Sequence, residues 1–327
     1  MKLAVGRLLF AVCVGLMTAG AAMAQPTDKP RVIGLLTLGP GLTAATESLL
    51  SGLRERGWIE GKNLRVEYRF AANRPERLPG LAEELVRIGV ELIVASGTPA
   101  VQAAKNATSS IPIVMGSAAD AEGSGFVASL ARPGGNITGV SMMLAELAGK
   151  RLEILKELNP KLARVAYLAY VPDPAHKLFL RQTMDAGQAL NLRIQPVRVN
   201  RPDQLSAAFA LIAKERADAV VVQPLFSNNL GLAPRVAGLA VEHRLVNISD
   251  GAGYVEAGGL LYYGPDPQAI YPRIASFVDR ILKGGKPAEM PVEQPQKFLL
   301  IVNLTAAKKL GISVPISLRA RADRVIE

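Results

Sequence analysis

The run with the most evident binding chemistry is Ser96-Gly97-Thr98-Pro99, which follows a short apolar run at residues 91–95. Threonine is a favoured N-cap and proline suits the first helical turn, so the run predicts a helix that begins with Thr98 as its cap. Free N–H groups at a helix N-terminus bind anions, and ligands of open α/β sheets bind at the carboxyl ends of strands. We therefore expect Ser96, Gly97 and Thr98, with Gln102 in the same helix, to contact a ligand; a purely structural cap is the alternative.

Two aspartates follow predicted strands and could hold a ligand ammonium through a charge-assisted hydrogen bond. Asp120 follows residues 111–115, with Ser117 in the same loop, and Asp250 follows residues 246–249. A turn-capping role is the alternative for each aspartate. Under the ligand-binding hypothesis, alanine at Thr98 and Asp250 abolishes binding and leaves the melting of the unliganded protein nearly unchanged.

The second half of the chain places aromatic and amide side chains in comparable positions. Tyr170, Gln223, Phe226 and Asn228 all follow predicted strands. An aromatic side chain there could stack on a ligand ring, and packing in the core is the alternative.

A glycine-rich loop after the first predicted strand gives the one signal typical of an enzyme. Residues 39–44, GPGLTA, formally match the GxGxxA loop of dinucleotide-binding proteins. Pro40 removes a backbone donor from that loop. We therefore interpret Leu38, Gly39 and Thr43 as part of a loop that lines a ligand, and we expect no cofactor.

The residue types needed for metal or hydrolytic chemistry are scarce. The chain has two histidines, His176 and His243, and one cysteine, Cys13. Neither histidine has a second metal ligand at usable spacing, and there is no GxSxG motif. These features argue against an enzyme.

The first residues are typical of a secretory signal. Lys2 and Arg7 precede the apolar residues 8–17, and Ala22-Met23-Ala24 resembles a cleavage site. We predict a signal peptide at residues 1–24, cleavage near Ala24-Gln25, and a periplasmic protein. Loss of Lys2 and Arg7 lowers the formal charge from +10 to +8. The remaining basic residues are interleaved with acidic ones and lack aromatic neighbours, so we expect no nucleic acid partner.

Short apolar runs alternate with amphipathic ones from residue 31 onward, which is typical of parallel sheets covered by helices. About 300 mature residues exceed what one core usually holds. The sequence predicts an α/β protein with two Rossmann-like lobes, each a parallel sheet flanked by helices. Three chain crossings near Ser141, Tyr263 and Pro287 would form the hinge. The predicted lobes are residues 29–141 with 264–286, and residues 142–263 with 287–327.

Several sequence segments resemble those of the ABC transporter substrate-binding family related to tryptophan- and tyrosine-type binding proteins. They are ASLARPGGNITG at 128–139, YVEAGGL at 254–260, YGPD at 263–266, LKGGKPA at 282–288, PVEQP at 291–295 and ARAD at 320–323. The resemblance implies a type I periplasmic-binding fold that holds a ligand between its lobes and delivers it to a membrane permease. The family often has proline after the aspartate of the fourth strand, where this chain has Ala121.

These observations favour a periplasmic solute-binding component of an ABC importer. The expected ligand is a small molecule such as an aromatic or other amino acid, and the expected partner is an ABC permease in the inner membrane. We expect a monomer. Two alternatives stay open: an exported sensor that reports a ligand to a membrane receptor, and a periplasmic enzyme that uses the dinucleotide-like loop.

Overall fold

Two α/β lobes make up the described part of the chain, which in this computed structural model comprises residues 29–228 and 231–327. The first lobe contains a five-stranded parallel sheet in the order β2-β1-β3-β4-β5. Its strands are β1 Arg31–Thr37, β2 Leu64–Phe70, β3 Leu92–Ser96, β4 Ile113–Ala118 and β5 Ile137–Ser141. Its helices include α1 Ala44–Glu55, α2 Leu78–Ile88 and α3 Thr98–Ala107.

The second lobe contains a seven-stranded sheet in the order β12-β11-β10-β9-β8-β6-β7. Its strands are β6 Arg164–Tyr170, β7 Arg193–Val199, β8 Ala219–Val222, β9 Val246–Ser249, β10 Leu261–Pro265, β11 Phe298–Asn303 and β12 Arg324–Ile326. The helices after α3 are α4 Ala148–Leu158, α5 His176–Ala189, α6 Leu205–Lys214, α7 Pro224–Asn228, α8 Ala233–Glu242, α9 Ala252–Glu256, α10 Pro267–Leu282, α11 Leu304–Leu310 and α12 Ile316–Arg321. The β11 strand runs antiparallel to β10, and the other strand pairs of this sheet are parallel.

Local sequence explains the elements that flank the cleft-facing loops. The strand β8, with the sequence AVVV, is buried along its whole length, as expected for a strand covered on both faces. The helix α2 ends at Gly89, whose φ of 76° places it in the left-handed region that favours glycine. The N–H of Gly89 donates to the carbonyls of Leu85 and Val86.

The chain crosses between the lobes three times. It first leaves β5 for α4, and it returns after β10 to form α10, which packs on the first lobe. There, Ile274 and Phe277 of α10 share one core with Leu53 of α1. The third crossing leads back to β11 in the second sheet.

Two of the crossings differ in position from the sequence prediction. The strand β10 runs through Pro265, so residues 264 and 265 belong to the second sheet. Met290 and Val292 are buried in the first lobe, and Glu293 pairs its backbone with Gly139 and Ser141. The segment that contains Met290 and Val292 packs beside β5 in the first lobe. The third crossing therefore follows Glu293 instead of lying near Pro287.

The predicted class of two sheet-and-helix lobes joined by three segments is confirmed by these elements. The predicted signal peptide, residues 1–24, lies outside the described residues. Among the helices of residues 29–228 and 231–327, none combines the length and the apolar character that a membrane span requires.

Gly139 on β5 offers a test of how closely β4 and β5 approach. Its φ is 127°, and a Cβ added there would lie 2.5 Å from the carbonyl oxygen of Met115. We expect Gly139→Ala to lower the free energy of unfolding by about 2 kcal/mol or more. Urea denaturation measures this loss.

Gly135, four residues earlier, provides the matched control. A Cβ there would have no heavy atom within 4 Å, so Gly135→Ala should change stability by less than about 0.5 kcal/mol or increase it slightly. Equal effects of the two substitutions would contradict the close packing at Gly139.

Candidate functional site

The strand-end loops of the two lobes meet around a small cavity at the carboxyl edges of both sheets. It is lined by Leu38, Asn73 and Pro75 from the first lobe and by Tyr170, Leu225, Phe226 and Leu232 from the second. Its free volume of about 10 Å³ holds about one water molecule. A larger ligand does not fit this cavity at the spacing of the lobes in this structure.

An aromatic pair forms the second-lobe wall of this cavity. Tyr170 ends the buried strand β6, and Phe226 lies on α7 with no exposed surface. Their ring centroids are 5.3 Å apart at an interplanar angle of 70°, an edge-to-face arrangement. Burial raises the pKa of the Tyr170 hydroxyl, and Glu76 of the first lobe adds to the shift. The structure thus brings Leu38, Tyr170 and Phe226 together.

Asn73 is a cavity residue that the sequence analysis missed. It and Ala72 have φ values of 61° and 53°, in the left-handed region that asparagine tolerates better than most residues. The N–H groups of Ala72 and Asn73 donate to the carbonyls of Gly39 and Leu38, at 3.2 and 2.7 Å. Asn73 Oδ1 is buried without a hydrogen-bond partner in the described part of the chain. The pairing of this loop with the end of β1 is long-range, and no local signal reveals it.

The serine and threonine side chains near α3 form contacts within the first lobe. The hydroxyl oxygens of Ser96 and Ser117 lie 3.1 Å apart. Thr98 is buried, and its Oγ1 accepts a hydrogen bond of 3.1 Å from the N–H of Ala119. The prediction that Thr98 caps α3 is wrong: Gly97, with a φ of 92°, precedes the helix, and Thr98 is its first residue. Thr98 joins two strand-end loops.

Three other predicted residues make contacts inside their own elements. Thr43 caps α1 by accepting a hydrogen bond from the N–H of Thr46. Gly39 donates its N–H to Thr37 Oγ1 at 3.1 Å. Gln102 donates to Asn106 Oδ1 at 2.9 Å, one turn further along α3. A ligand role for these residues stays a prediction.

Asp120 adopts the turn-capping arrangement that was its alternative interpretation. Its Oδ1 accepts a hydrogen bond of 2.9 Å from the N–H of Gly123. Burial raises the pKa of Glu146, and the nearby Asp120 carboxylate adds to that shift. This side of the cleft edge therefore carries two neighbouring acidic groups, which favour a cationic group of a ligand.

Gln223 supports the site from behind, since it has no exposed surface. Its Nε2 donates to Asp173 Oδ2 at 2.7 Å, and its Oε1 accepts from the N–H of Tyr170 at 2.6 Å. Gln223 thus holds the backbone of Tyr170, and its direct contact with a ligand stays a prediction. Burial raises the pKa of Asp173 to about 6. The side chain of Asn228, at the end of α7, lies outside the described residues.

Asp250 follows β9 as expected, but its side chain is buried and paired. Its Oδ2 lies 3.2 Å from Nη2 of Arg151, which is also buried. Burial raises the pKa of Asp250 to about 6, and the guanidinium of Arg151 opposes that shift. Oδ1 has no hydrogen-bond partner among the described residues. Replacing Asp250 should therefore affect the unliganded fold, contrary to the expectation from sequence.

Comparison with known proteins agrees with this architecture. The model of the family described as ABC transporter substrate binding protein matches residues 32–326. The chain belongs to this family. A tyrosine-binding protein of Clostridioides difficile (strain R20291) is 26% identical over 289 residues, which cover 88% of this chain and 82% of the relative.

Two solved structures share the fold of this substrate-binding protein. A conserved domain protein of Vibrio cholerae O1 biovar El Tor has a TM-score of 0.83 at 26% identity and covers 91% of this chain and 99% of its own. An ABC domain in complex with L-Trp from Streptococcus pneumoniae has a TM-score of 0.81 at 22% identity and covers 91% and 100%. The family consists of substrate-binding proteins of transporters, typically extracellular or periplasmic, and not of enzymes.

Within residues 29–228 and 231–327, no group of three or more histidine, cysteine, aspartate or glutamate side chains could hold a metal ion. In the cavity lining, Asn73 Oδ1 can accept a hydrogen bond from a ligand, and the aromatic wall can bind a ring.

The buried pair of Arg151 and Asp250 gives a stability prediction. Asp250→Ala leaves the buried guanidinium unpaired and should cost about 3–5 kcal/mol in the free energy of unfolding. Arg201 and Asp203 form the matched control, because their N–O distance is also 3.2 Å but both side chains are largely exposed. Asp203→Ala should cost less than about 1 kcal/mol. Equal losses in chemical denaturation would contradict the buried pair.

The raised pKa of Asp173 gives a prediction about pH. In the unfolded chain the pKa of an aspartate is about 4. As the pH falls from about 6 to about 4, Asp173 is therefore protonated in the folded protein while it is still ionised in the unfolded chain. The wild type gains stability from this group over that window, and Asp173→Asn cannot. When the pH is lowered from 7 to 4, the free energy of unfolding of the wild type should therefore increase relative to that of the variant by up to about 3 kcal/mol. Urea denaturation at each pH measures it, and a constant difference would contradict the shift.

Proposed function

We propose that this protein is the periplasmic solute-binding component of an ABC importer and captures an amino acid between its lobes, with tyrosine and tryptophan as first candidates. The observation that carries the proposal is the aromatic pair of Tyr170 and Phe226, which faces Leu38, Asn73 and Pro75 across the gap between the lobes. The C. difficile relative is named for tyrosine, and the S. pneumoniae structure holds L-Trp.

Each part of an amino acid has a matching region in the cleft. The ring packs against Tyr170 in the apolar cavity. The carboxylate lies at the N-terminus of α3, which follows Gly97 at the end of β3 and whose dipole favours an anion. The ammonium lies near Asp120 or the unpartnered Oδ1 of Asp250. The carboxylate and the ammonium are both attached to the α-carbon of the amino acid, and the ring is at its other end, so a ligand with one charged end and one apolar end matches the proposed site.

Closure of the lobes provides the binding mechanism. As the lobes approach, water leaves the cleft, and the lower local dielectric strengthens the charged contacts. A micromolar dissociation constant corresponds to about 8 kcal/mol, which a few such contacts and one buried ring can supply. No bond to the ligand forms or breaks, so the protein acts as a carrier and not as an enzyme. The monomeric protein is exported by its N-terminal signal, cleaved near Ala24-Gln25, and passes its ligand to a permease in the inner membrane.

Isothermal titration calorimetry on the protein purified after export tests the proposal. L-Tyrosine, L-tryptophan, L-phenylalanine and L-leucine are titrated in turn, and the recovered ligand is analysed for chemical change. We expect a stoichiometry of one, tighter binding of the aromatic ligands, and recovery of the ligand unaltered. Binding of none of these amino acids, or conversion of one of them, would contradict the proposal.

Tyr170→Leu tests the aromatic wall directly. Loss of the aromatic contact should weaken binding of the aromatic amino acids about three- to tenfold. Tyr68→Leu is the matched control, because Tyr68 stacks on Phe70 at 5.8 Å on β2, outside the cavity lining. Calorimetry should give the control a dissociation constant within twofold of the wild type. Unchanged binding by Tyr170→Leu would place the ring elsewhere.

A further inference from the structure

The buried guanidinium of Arg151 makes three separate contacts through three different nitrogens. Its Nε donates to the carbonyl of Tyr263 at 3.1 Å, and its Nη1 donates to the carbonyl of Leu144 at 2.9 Å. Its Nη2 lies 3.2 Å from Asp250 Oδ2, an ion pair by distance in which Nη2 forms no hydrogen bond with the described residues. Arg151 itself is 3% exposed and lies in the first turns of α4.

The three partners of Arg151 belong to parts of the chain with different roles. Leu144 lies in the first crossing, between β5 and α4. Tyr263 lies on β10, two residues before that strand ends at Pro265 and the second crossing begins. Asp250 directly follows β9 at the carboxyl edge that faces the cleft. One planar group therefore connects the first crossing, and the strand that leads into the second crossing, to the cleft edge.

Stability alone does not explain a charged group in this position. Taking a guanidinium and a carboxylate out of water costs several kcal/mol, and apolar side chains of similar volume often stabilise such a site equally well or better. A guanidinium differs from them in its rigid, planar set of donors, which holds several acceptors in fixed relative positions. Movement of one partner is thereby transmitted to the others.

We propose that Arg151 is a positioning residue that couples ligand capture at the cleft edge to the hinge. The charge of the guanidinium holds the carboxylate of Asp250 at Oδ2, and Oδ1, which is buried and has no hydrogen-bond partner among the described residues, is the atom that a captured ligand contacts. Through Leu144 and Tyr263 it links the position of that carboxylate to the second-lobe ends of two crossings. Closure of the hinge and the binding geometry of Asp250 therefore change together. This inference rests on the proposed function, because it requires a ligand that is captured by closure.

Arg151→Lys separates coupling from charge. Lysine keeps the positive charge beside Asp250, but its single nitrogen cannot span three partners that Arg151 reaches through separate nitrogens. Two quantities are measured: the dissociation constant for L-tyrosine and L-tryptophan, and the ligand-induced decrease in radius of gyration by small-angle X-ray scattering. We expect binding weaker by about tenfold or more, together with a smaller decrease in radius at saturating ligand.

Arg31→Lys is the matched control. Arg31 also combines an ion pair, with Glu91 at 2.9 Å, and a hydrogen bond to a carbonyl, that of Leu282 at 2.8 Å. It lies at the amino end of β1, away from the cleft edge. Arg31→Lys should bind ligand within twofold of the wild type and close to the same extent, whatever its melting temperature.

The double variant Arg151→Met with Asp250→Leu covers the case in which Arg151→Lys fails to fold. It contains no buried charge at this site and should fold, bind about tenfold more weakly or worse, and close less. Wild-type affinity and full closure in either folded Arg151 variant would overturn the coupling role and leave a purely structural one. If the wild type bound neither amino acid, the proposed function and this inference would both be overturned.

Discussion

Every parallel strand of a sheet ends at the same edge, and this constraint determines where the protein can bind a ligand. The loops after β1, β3 and β4 share one edge, and those after β6, β8 and β9 share the other. Because the chain crosses three times between the lobes, these two edges face each other. The gap between the lobes is therefore lined on both sides by the loops that follow the strands. These loops carry backbone groups that are not paired in a sheet, and side chains that a ligand can contact.

The second lobe buries two aspartates near the carboxyl edge of its sheet. Asp173 and Asp250 are both buried, and burial raises the pKa of each to about 6. Asp173 is held by Gln223 and Asp250 by Arg151, so each carboxylate has a dedicated partner. These partners also orient the surroundings: Gln223 binds the backbone of Tyr170, and Arg151 binds Leu144 in the first crossing and Tyr263 on β10. The cleft wall and the hinge therefore depend on the same buried polar contacts.

The sequence predicted the two lobes because alternating apolar runs report directly on buried strands and amphipathic helices. The strand-end rule also identified Leu38, Tyr170 and Phe226, which the structure brings to one cavity. It did not predict the direction of each side chain. Thr98, Gln223 and Asp250 all follow strands, yet each is buried and bonded inside its own lobe.

The residues that sequence reasoning missed depend on contacts between distant segments. Arg151 is 112 residues from Tyr263, and an arginine on an amphipathic helix gives no sign of burial. Asn73 reaches the cavity because its loop binds the end of β1. The position of the third crossing depends on the pairing of Glu293 with β5, which is equally long-range. Local patterns thus predict elements, and tertiary contacts determine the details of the site.

The distance between the lobes in solution tests most directly whether they close on a ligand. The chain has one cysteine, Cys13, within the predicted signal peptide, so cysteines introduced at the exposed positions Glu83 on α2 and Arg181 on α5 can be spin-labelled selectively. Electron–electron double resonance then gives the distance distribution with and without a bound amino acid. Closure of the lobes on a ligand predicts a shorter and narrower distance distribution when ligand is bound. An unchanged distribution with a ligand that calorimetry shows to be bound would contradict it.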